Sequence, residues 1–439
     1  MSANRIVTVT VEKLIDGGAG LGRVDGRVIF VPGVCPGERV RARITAVKPG
    51  YAEAALESVE QASADRVRPP CPVFGRCGGC QWQHLSDPAQ ARAKVDILRE
   101  DLRRLAKLDK PALLDPIAAP EPYGYRSRIQ VKIDASGAKP RIGFYAAKSR
   151  QIVTMEQCPV AAPPLNRAVA ALRTCLADPA TRLSSMSEIH WHLAQGTGEL
   201  QSRYFAAGEP KKRVEAFLTK SAASLPELVS QVYYDRSGHR RVWGRDWITD
   251  HLHGRPFRIS DRSFAQVNWA QNQAMIEAVL GFAALTGRES VLELFCGIGN
   301  FGLFLAEQAA TLEGYDENPS AVADARYNAE QQRRPNCRFQ AGPVDEVLEG
   351  LIRSGRRFDC IVLDPPREGL QRAALNALLK LAPARIVYIS CVPATLARDL
   401  RRFGDGGYRV GRIQPIDLFP QTPYLETVTE LIAPTGPQP

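Results

Sequence analysis

Apolar and polar residues alternate in four runs at the start of the chain: "RIVTVTVEKL", "GRVIFVPG", "ERVRARITAV" and "YAEAALESV". Glycine and proline turns separate them, which predicts a small β-barrel over residues 1–60. In the third run Val40, Ala42 and Ile44 fall on one face and Arg39, Arg41 and Arg43 on the other. Such a cationic ladder serves a phosphate backbone or protects an edge strand equally well. A polar linker, "QASADRVRPP", follows. "AQARAKVDILREDLRRLAKL" then carries Val95, Leu98, Leu102 and Leu105 at helical spacing. This helix, near 90–108, is expected to pack on the C-terminal domain. From about 125 to 260 the pattern is strand-rich; in "RSRIQVKID" Ile129, Val131 and Ile133 point inward and Arg126, Arg128, Gln130 and Lys132 outward. After 262, strands alternate with helices, the signature of a parallel sheet. The chain therefore reads as an α/β protein in three parts: a barrel over 1–60, a central strand-rich domain over 70–260, and an α/β domain over 262–433.

Charge sharpens this picture. A formal net charge of +10 over 439 residues favours an acidic partner, most simply a nucleic acid. The start "MSANRIVTVTVEKL" lacks the charged end and apolar core of a signal peptide, and no apolar run reaches membrane-span length. A cytoplasmic protein with no membrane association is expected, and nothing calls for an obligate protein partner. In a reducing compartment, its ten cysteines point to buried, metal-binding or catalytic thiols rather than disulfides.

Three of them stand close together. "CPVFGRCGGCQW" places Cys71, Cys77 and Cys80 in a C-x5-C-x2-C array with Gly75, Gly78 and Gly79, and Cys-Pro-Val recurs at Cys158. Four thiolates suit a structural zinc or an iron–sulfur cluster, and spacing alone does not separate the two.

"ESVLELFCGIGNFGLFLA" reads as strand, glycine-rich turn and helix, with Gly297, Gly299 and Gly302 in G-x-G-x-x-G order. Glu293 is expected to end the strand before the loop. Asp316 ends the next one, nineteen residues after Gly297, where an acid accepts ribose hydroxyls. Asn300 and Phe301 replace the small residues that hold a pyrophosphate, so S-adenosylmethionine fits this Rossmann-like loop better than NAD. "LDPPREGL" sets Asp364 at another strand end. Its fourth position is Arg367 rather than the aromatic residue found where an amino group is methylated, so a different acceptor is expected.

In "RIVYISCVPATLARDL" a buried-looking strand ends at Ser390 and a helix begins near Pro393, with Cys391 at the joint. Taken with "CPVFGRCGGC", Cys158, "SFAQVN", "LELFCGIGNFGL", "LDPPREG" and "DLFPQTPYLET", this chain resembles the RNA uracil-5-methyltransferase family. The likeness implies a Rossmann-like methyltransferase domain, a TRAM-type (OB-like) N-terminal barrel and a central iron–sulfur domain. It implies Cys391 as the nucleophile that adds to carbon 6 of uracil and Glu426 as the general base, with Glu430 a rival four residues on. The start of the Pro393 helix is expected to favour the thiolate. Methyl-donor binding carries over to Gln266, Phe295, Asn300, Asp316 and Asp364, with Asp364 also a candidate to face the uracil. Cys71, Cys77, Cys80 and Cys158 would hold a [4Fe-4S] cluster, zinc being the alternative. Barrel and cluster together most resemble bacterial enzymes acting on 23S ribosomal RNA; transfer RNA is the other substrate. Two departures from the family pattern, Val392 for a capping asparagine and Tyr424 for histidine, motivate a third reading, an RNA-binding protein with a degenerate catalytic domain.

Overall fold

In the computed structural model, which describes residues 2–137 and 139–434, the N-terminal strands β1 (Ile6–Leu14), β2 (Gly20–Val24), β3 (Arg27–Val31), β4 (Arg39–Lys48) and β5 (Tyr51–Gln61) close into a barrel in the order β1-β2-β3-β5-β4. Its core is the inward set Val7, Val9, Ile29, Val31, Val40, Ala42 and Ile44. The alternation missed β2, whose "GLGRV" is too rich in glycine to read as a strand. The packing explains the composition: a Cβ on Gly22 would lie 2.4 Å from the Thr10 carbonyl oxygen. The arginine ladder is partly neutralised, since Arg39 pairs with Glu60 at 3.1 Å and Arg43 with Glu57 at 2.7 Å, while Arg41 is exposed.

Helix α1 (Asp87–Arg104) follows the cysteine loop and packs on the C-terminal domain. Leu98 and Leu102 are buried there, but Leu105 falls just beyond the last turn and is 43% exposed. Strand β6 (Ala112–Leu113) then joins the far edge of the C-terminal sheet.

The central sheet contains β7 (Arg128–Asp134), β8 (Arg141–Tyr145), β9 (Ile152–Thr154), β10 (Glu188–Leu193), β11 (Leu200–Phe205), β12 (Leu228–Tyr234) and β13 (Arg240–Gly244). Its order is β13-β12-β11-β10-β7-β8-β9. Helices α2 (Pro163–Ala177) and α3 (Lys211–Ser224) share its core with Ile129, Val131 and Ile133. The opposite face of β7 is less open than alternation implies: Gln130 is exposed, but Arg126, Arg128 and Lys132 are half-buried. A hairpin, β14 (Trp247–Leu252) with β15 (Arg255–Ser260), leads to α4 (Trp269–Ala283).

The C-terminal domain alternates β16 (Ser290–Leu294), α5 (Gly302–Leu305), β17 (Thr311–Asp316), α6 (Pro319–Gln331), β18 (Cys337–Ala341), α7 (Val344–Arg353), β19 (Cys360–Leu363), α8 (Arg372–Leu381), β20 (Arg385–Ser390) and α9 (Pro393–Asp405), and ends in β21 (Arg409–Ile416) and β22 (Glu426–Ile432). The sheet order is β18-β17-β16-β19-β20-β22-β21-β6. Strands β16 to β20 are parallel, whereas β22 is antiparallel to both of its neighbours. That reversal brings the first residue of β22 to the carboxyl edge of the parallel strands, where α/β sheets bind ligands. Among the described residues no helix is long and apolar enough to cross a membrane.

Candidate active site

The ends of β19, β20 and β22 converge. Ser390 is paired with Thr427, so the same register sets Cys391 opposite Glu426, and the Thr427 hydroxyl donates to the Ser390 carbonyl at 3.0 Å. Asp364 follows β19 directly. Burial pushes the Cys391 thiol up to about 12, the charges of Glu426 and Asp364 push it further in the same direction, and Arg367 opposes them. Glu426 is 3% exposed, and burial, then Asp364, drive its carboxyl well above the usual range. Asp364 is driven upward by burial and by Asp316. Burial and the two acids thus outweigh what the helix start offers a thiolate. Pro393 supplies no N–H, Val392 caps α9 without a side-chain hydrogen bond, and the Val392 N–H is spent on Ser390 Oγ at 3.3 Å.

Arg367 is the cation of this group, its guanidinium 4.5 Å from the centre of the Tyr424 ring. The sequence marked Arg367 only as a departure; its place three residues after Asp364, in the same turn, was the available signal. Glu430 is set apart from Glu426. Arg385 (3.0 Å) and Arg412 (3.1 Å) hold it, and against the upward push of burial these contacts keep its carboxyl below the usual range. It is a structural ion-pair partner.

The glycine loop lies at the adjoining strand ends. Phe295 takes a left-handed backbone (φ 61°), a strained conformation that turns the chain off β16. Asp316 accepts the Gly297 N–H at 2.9 Å and the Asn318 N–H at 2.8 Å. Asn300 and Asn272 exchange two hydrogen bonds of 2.8 and 2.9 Å, so the Asn300 amide is oriented by a residue of α4 that the sequence did not reveal. Glu293 is 1% exposed under this loop; its Oε1 accepts the Gly302 N–H at 3.1 Å. Gln266 is half-buried just before α4. Beside it, Phe264 is 56% exposed, with the Arg128 guanidinium 6.0 Å from its ring centre.

Cys71, Cys77, Cys80 and Cys158 line one cavity of about 600 Å³. Burial pushes the Cys80 thiol up to about 12, with Cys158 and Cys77 adding to the shift; Cys77 and Cys158 are raised chiefly by burial as well. The loop is tight at Gly78, whose Cβ would come within 3.2 Å of Ala147 backbone atoms. Among the described residues no three His, Cys, Asp or Glu side chains are arranged to hold a single metal ion.

Comparison with known proteins fits this geometry. A sequence model described as tRNA (Uracil-5-)-methyltransferase matches residues 105–433, and the TRAM domain model matches residues 3–56. An uncharacterized RNA methyltransferase of Halalkalibacterium halodurans is 35% identical over 98% of this chain and 98% of its own length. One from Gloeobacter violaceus is 35% identical over 97% and 96%. The crystal structure of Pyrococcus abyssi tRNA (uracil-54, C5)-methyltransferase in complex with S-adenosyl-L-homocysteine superposes with a TM-score of 0.77 at 26% identity, covering 97% of this chain and 100% of that one. The fold is thus that of an S-adenosylmethionine-dependent methyltransferase behind a TRAM barrel, and the chain belongs to the tRNA (uracil-5-)-methyltransferase family of RNA-modifying enzymes.

Proposed function

We propose that this protein methylates carbon 5 of a uridine in 23S ribosomal RNA through a covalent adduct at Cys391. The observation that carries the reading is the apposition of Cys391 and Glu426 across β20 and β22, with Asp364 beside them. Carbon 5 of neutral uracil is a weak nucleophile. The Cys391 sulfur bonds to carbon 6, carbon 5 takes the methyl group from the sulfonium, Glu426 accepts the carbon-5 proton, and the carbon–sulfur bond breaks to return the thiolate. Gln266, Phe295, Asn300, Asp316 and Asp364 surround the methyl donor on this reading.

The ribosomal target is supported by the barrel and the cysteine quartet occurring together. The transfer-RNA reading is supported by the uracil-54 enzyme of Pyrococcus abyssi, which shares the fold. By the family likeness Cys71, Cys77, Cys80 and Cys158 are the residues that would hold a [4Fe-4S] cluster, with zinc the alternative, and all four line one cavity of about 600 Å³. Bound there, a cluster would supply a fixed scaffold for the loop. Exposed Phe264, half-buried Arg128 and the Arg41 side of the barrel offer stacking and charge to RNA.

Mapping 5-methyluridine in RNA from strains with and without the gene tests the substrate: loss of one site in 23S RNA is expected, and loss in transfer RNA would transfer the reading there. RNA bearing 5-fluorouridine has no removable carbon-5 proton and should trap wild-type protein on a denaturing gel, whereas Cys391→Ala should trap nothing. Trapping by the alanine variant would exclude Cys391 as the nucleophile.

A further inference from the structure

The Glu426 carboxyl has no hydrogen-bond or ion-pair partner among the described residues, so its position is set by the backbone that delivers it. That backbone is the segment from Asp417 to Leu425 between β21 and β22. Each carbonyl from Asp417 to Gln421 accepts a hydrogen bond from another part of the molecule. The donors are Gln271 Nε2 to Asp417 (2.9 Å), Asn268 Nδ2 to Leu418 (3.2 Å), Lys94 Nζ to Phe419 (3.0 Å) and the Tyr125 hydroxyl to Pro420 (3.0 Å). The Gln421 carbonyl takes two, from the backbone N–H groups of Gln81 (3.1 Å) and Trp82 (3.0 Å), the residues immediately after Cys80.

Gln421 is the point where these restraints concentrate. It is 1% exposed and holds φ at 69°, a left-handed conformation that costs a residue with a side chain. Its side chain accounts for the choice over glycine. Oε1 accepts from Gln90 Nε2 at 3.0 Å, Nε2 donates to Asp87 Oδ1 at 3.0 Å, and the Gln421 N–H donates to Gln90 Oε1 at 2.9 Å. One residue thus ties the segment ahead of Glu426 both to α1 and to the end of the cysteine loop.

We infer that Gln421 is a positioning residue for proton removal: it transmits the placement of the cysteine loop and α1 to Glu426, holding the carboxylate over carbon 5 after methyl transfer. The inference rests on the covalent reading above. On that reading the steps before proton removal use Cys391, just after β20, and a methyl donor held at the glycine loop, and the hydrogen bonds of the Gln421 side chain reach neither. The consequence is a split between two steps of one turnover.

The test uses the purified full-length enzyme, unmodified substrate RNA and S-adenosylmethionine. Gln421→Gly keeps the left-handed backbone available and removes only the side chain; Gln90→Ala cuts the same link from α1. Single-turnover methyl transfer into RNA is read beside the fraction of protein held covalently on a denaturing gel. Both variants are expected to transfer the methyl group at a rate near wild type yet to accumulate methylated adduct, with release slowed about tenfold or more. Equal slowing of both steps in either folded variant, or release at the wild-type rate, would overturn the inference. Wild-type protein that fails to trap 5-fluorouridine RNA would overturn the covalent reading itself, a distinct outcome.

Discussion

Replacing Glu293 by glutamine isolates the cost of the carboxyl buried beneath the glycine loop. Burial, then the charges of Asp316 and Asp364, raise it from an ordinary 4.5 to about 8 despite the Gly302 and Phe301 N–H groups that favour the anion, and its Oε2 has no partner. Between those two values the native protein keeps a proton that the unfolded chain has released. Stability is therefore fully present below about pH 4.5 and is lost as pH rises towards 8, by about 1.4 kcal/mol per unit. At pH 7 the loss is on the order of 3 kcal/mol. Glutamine has the same shape, still accepts the Gly302 N–H, and leaves an unpartnered NH2 where the protonated acid leaves an unpartnered OH. Its burial cost does not change with pH. Urea unfolding of both proteins, followed by circular dichroism from pH 5 to 8, should show Glu293→Gln gaining on wild type by on the order of 3 kcal/mol. A difference that stays flat across that range would refute the assignment of a proton to the native carboxyl.

Cys391 in the free enzyme should be a sluggish thiol: with its sulfur pushed up to about 12, iodoacetamide at pH 7.5 should modify it roughly a hundredfold more slowly than free cysteine, allowing for the greater nucleophilicity of a basic thiolate. Peptide mass spectrometry gives the rate, and modification as fast as free cysteine would contradict the burial. His192 is held neutral by burial and by Arg128 and Arg203, which lower it to about 3. The unfolded chain gains a proton there below about 6.5, so stability is lost as pH falls towards 3, and His192→Gln should move the acid-unfolding midpoint to lower pH. In Gly302→Ala, the new Cβ would sit 2.2 Å from Glu293 Oε2 and 3.2 Å from Leu312 Cδ2. The variant should lose about 1–3 kcal/mol of stability and bind S-adenosylmethionine at least about tenfold more weakly, as calorimetry would report.

Period and punctuation carried most of the fold. The alternation in β4 and β7, the strand–turn–helix around Gly297 and the joint at Cys391 all lie where one face is buried and the next residue must turn. What periodicity missed has local causes. Strand β2 is made of glycines selected for close backbone approach, and β6 is two residues long, recruited to β21 by position rather than by composition. Lys94 is a further case: it lies four residues before Leu98 on the apolar side of α1, and its fully buried side chain ends with Nζ 2.6 Å from Asp417 Oδ1. No single-sequence pattern announces a partner 323 residues away. The charge balance at Cys391 was misread for a similar reason: the helix start is visible in the sequence, whereas burial and the neighbouring acids are products of tertiary structure.

The placement of the acids gives the proposed cycle an electrostatic direction. Cys391, Glu426 and Asp364 lie in a region whose burial disfavours every negative charge, and Arg367 is the cation found among them. Burial and the neighbouring acids therefore favour the neutral forms of Cys391 and Glu426 in the free protein. On the proposed reading a second positive charge, the sulfonium of the methyl donor, would favour their ionised forms, the protons passing to solvent, when Cys391 attacks. Methyl transfer consumes that charge. On that reading Glu426 would then face the carbon-5 proton with its affinity for protons restored by burial and by Asp364. A carboxylate of ordinary acidity at this position would lack that drive, which is what the proposed reading gains from a base on the buried antiparallel strand.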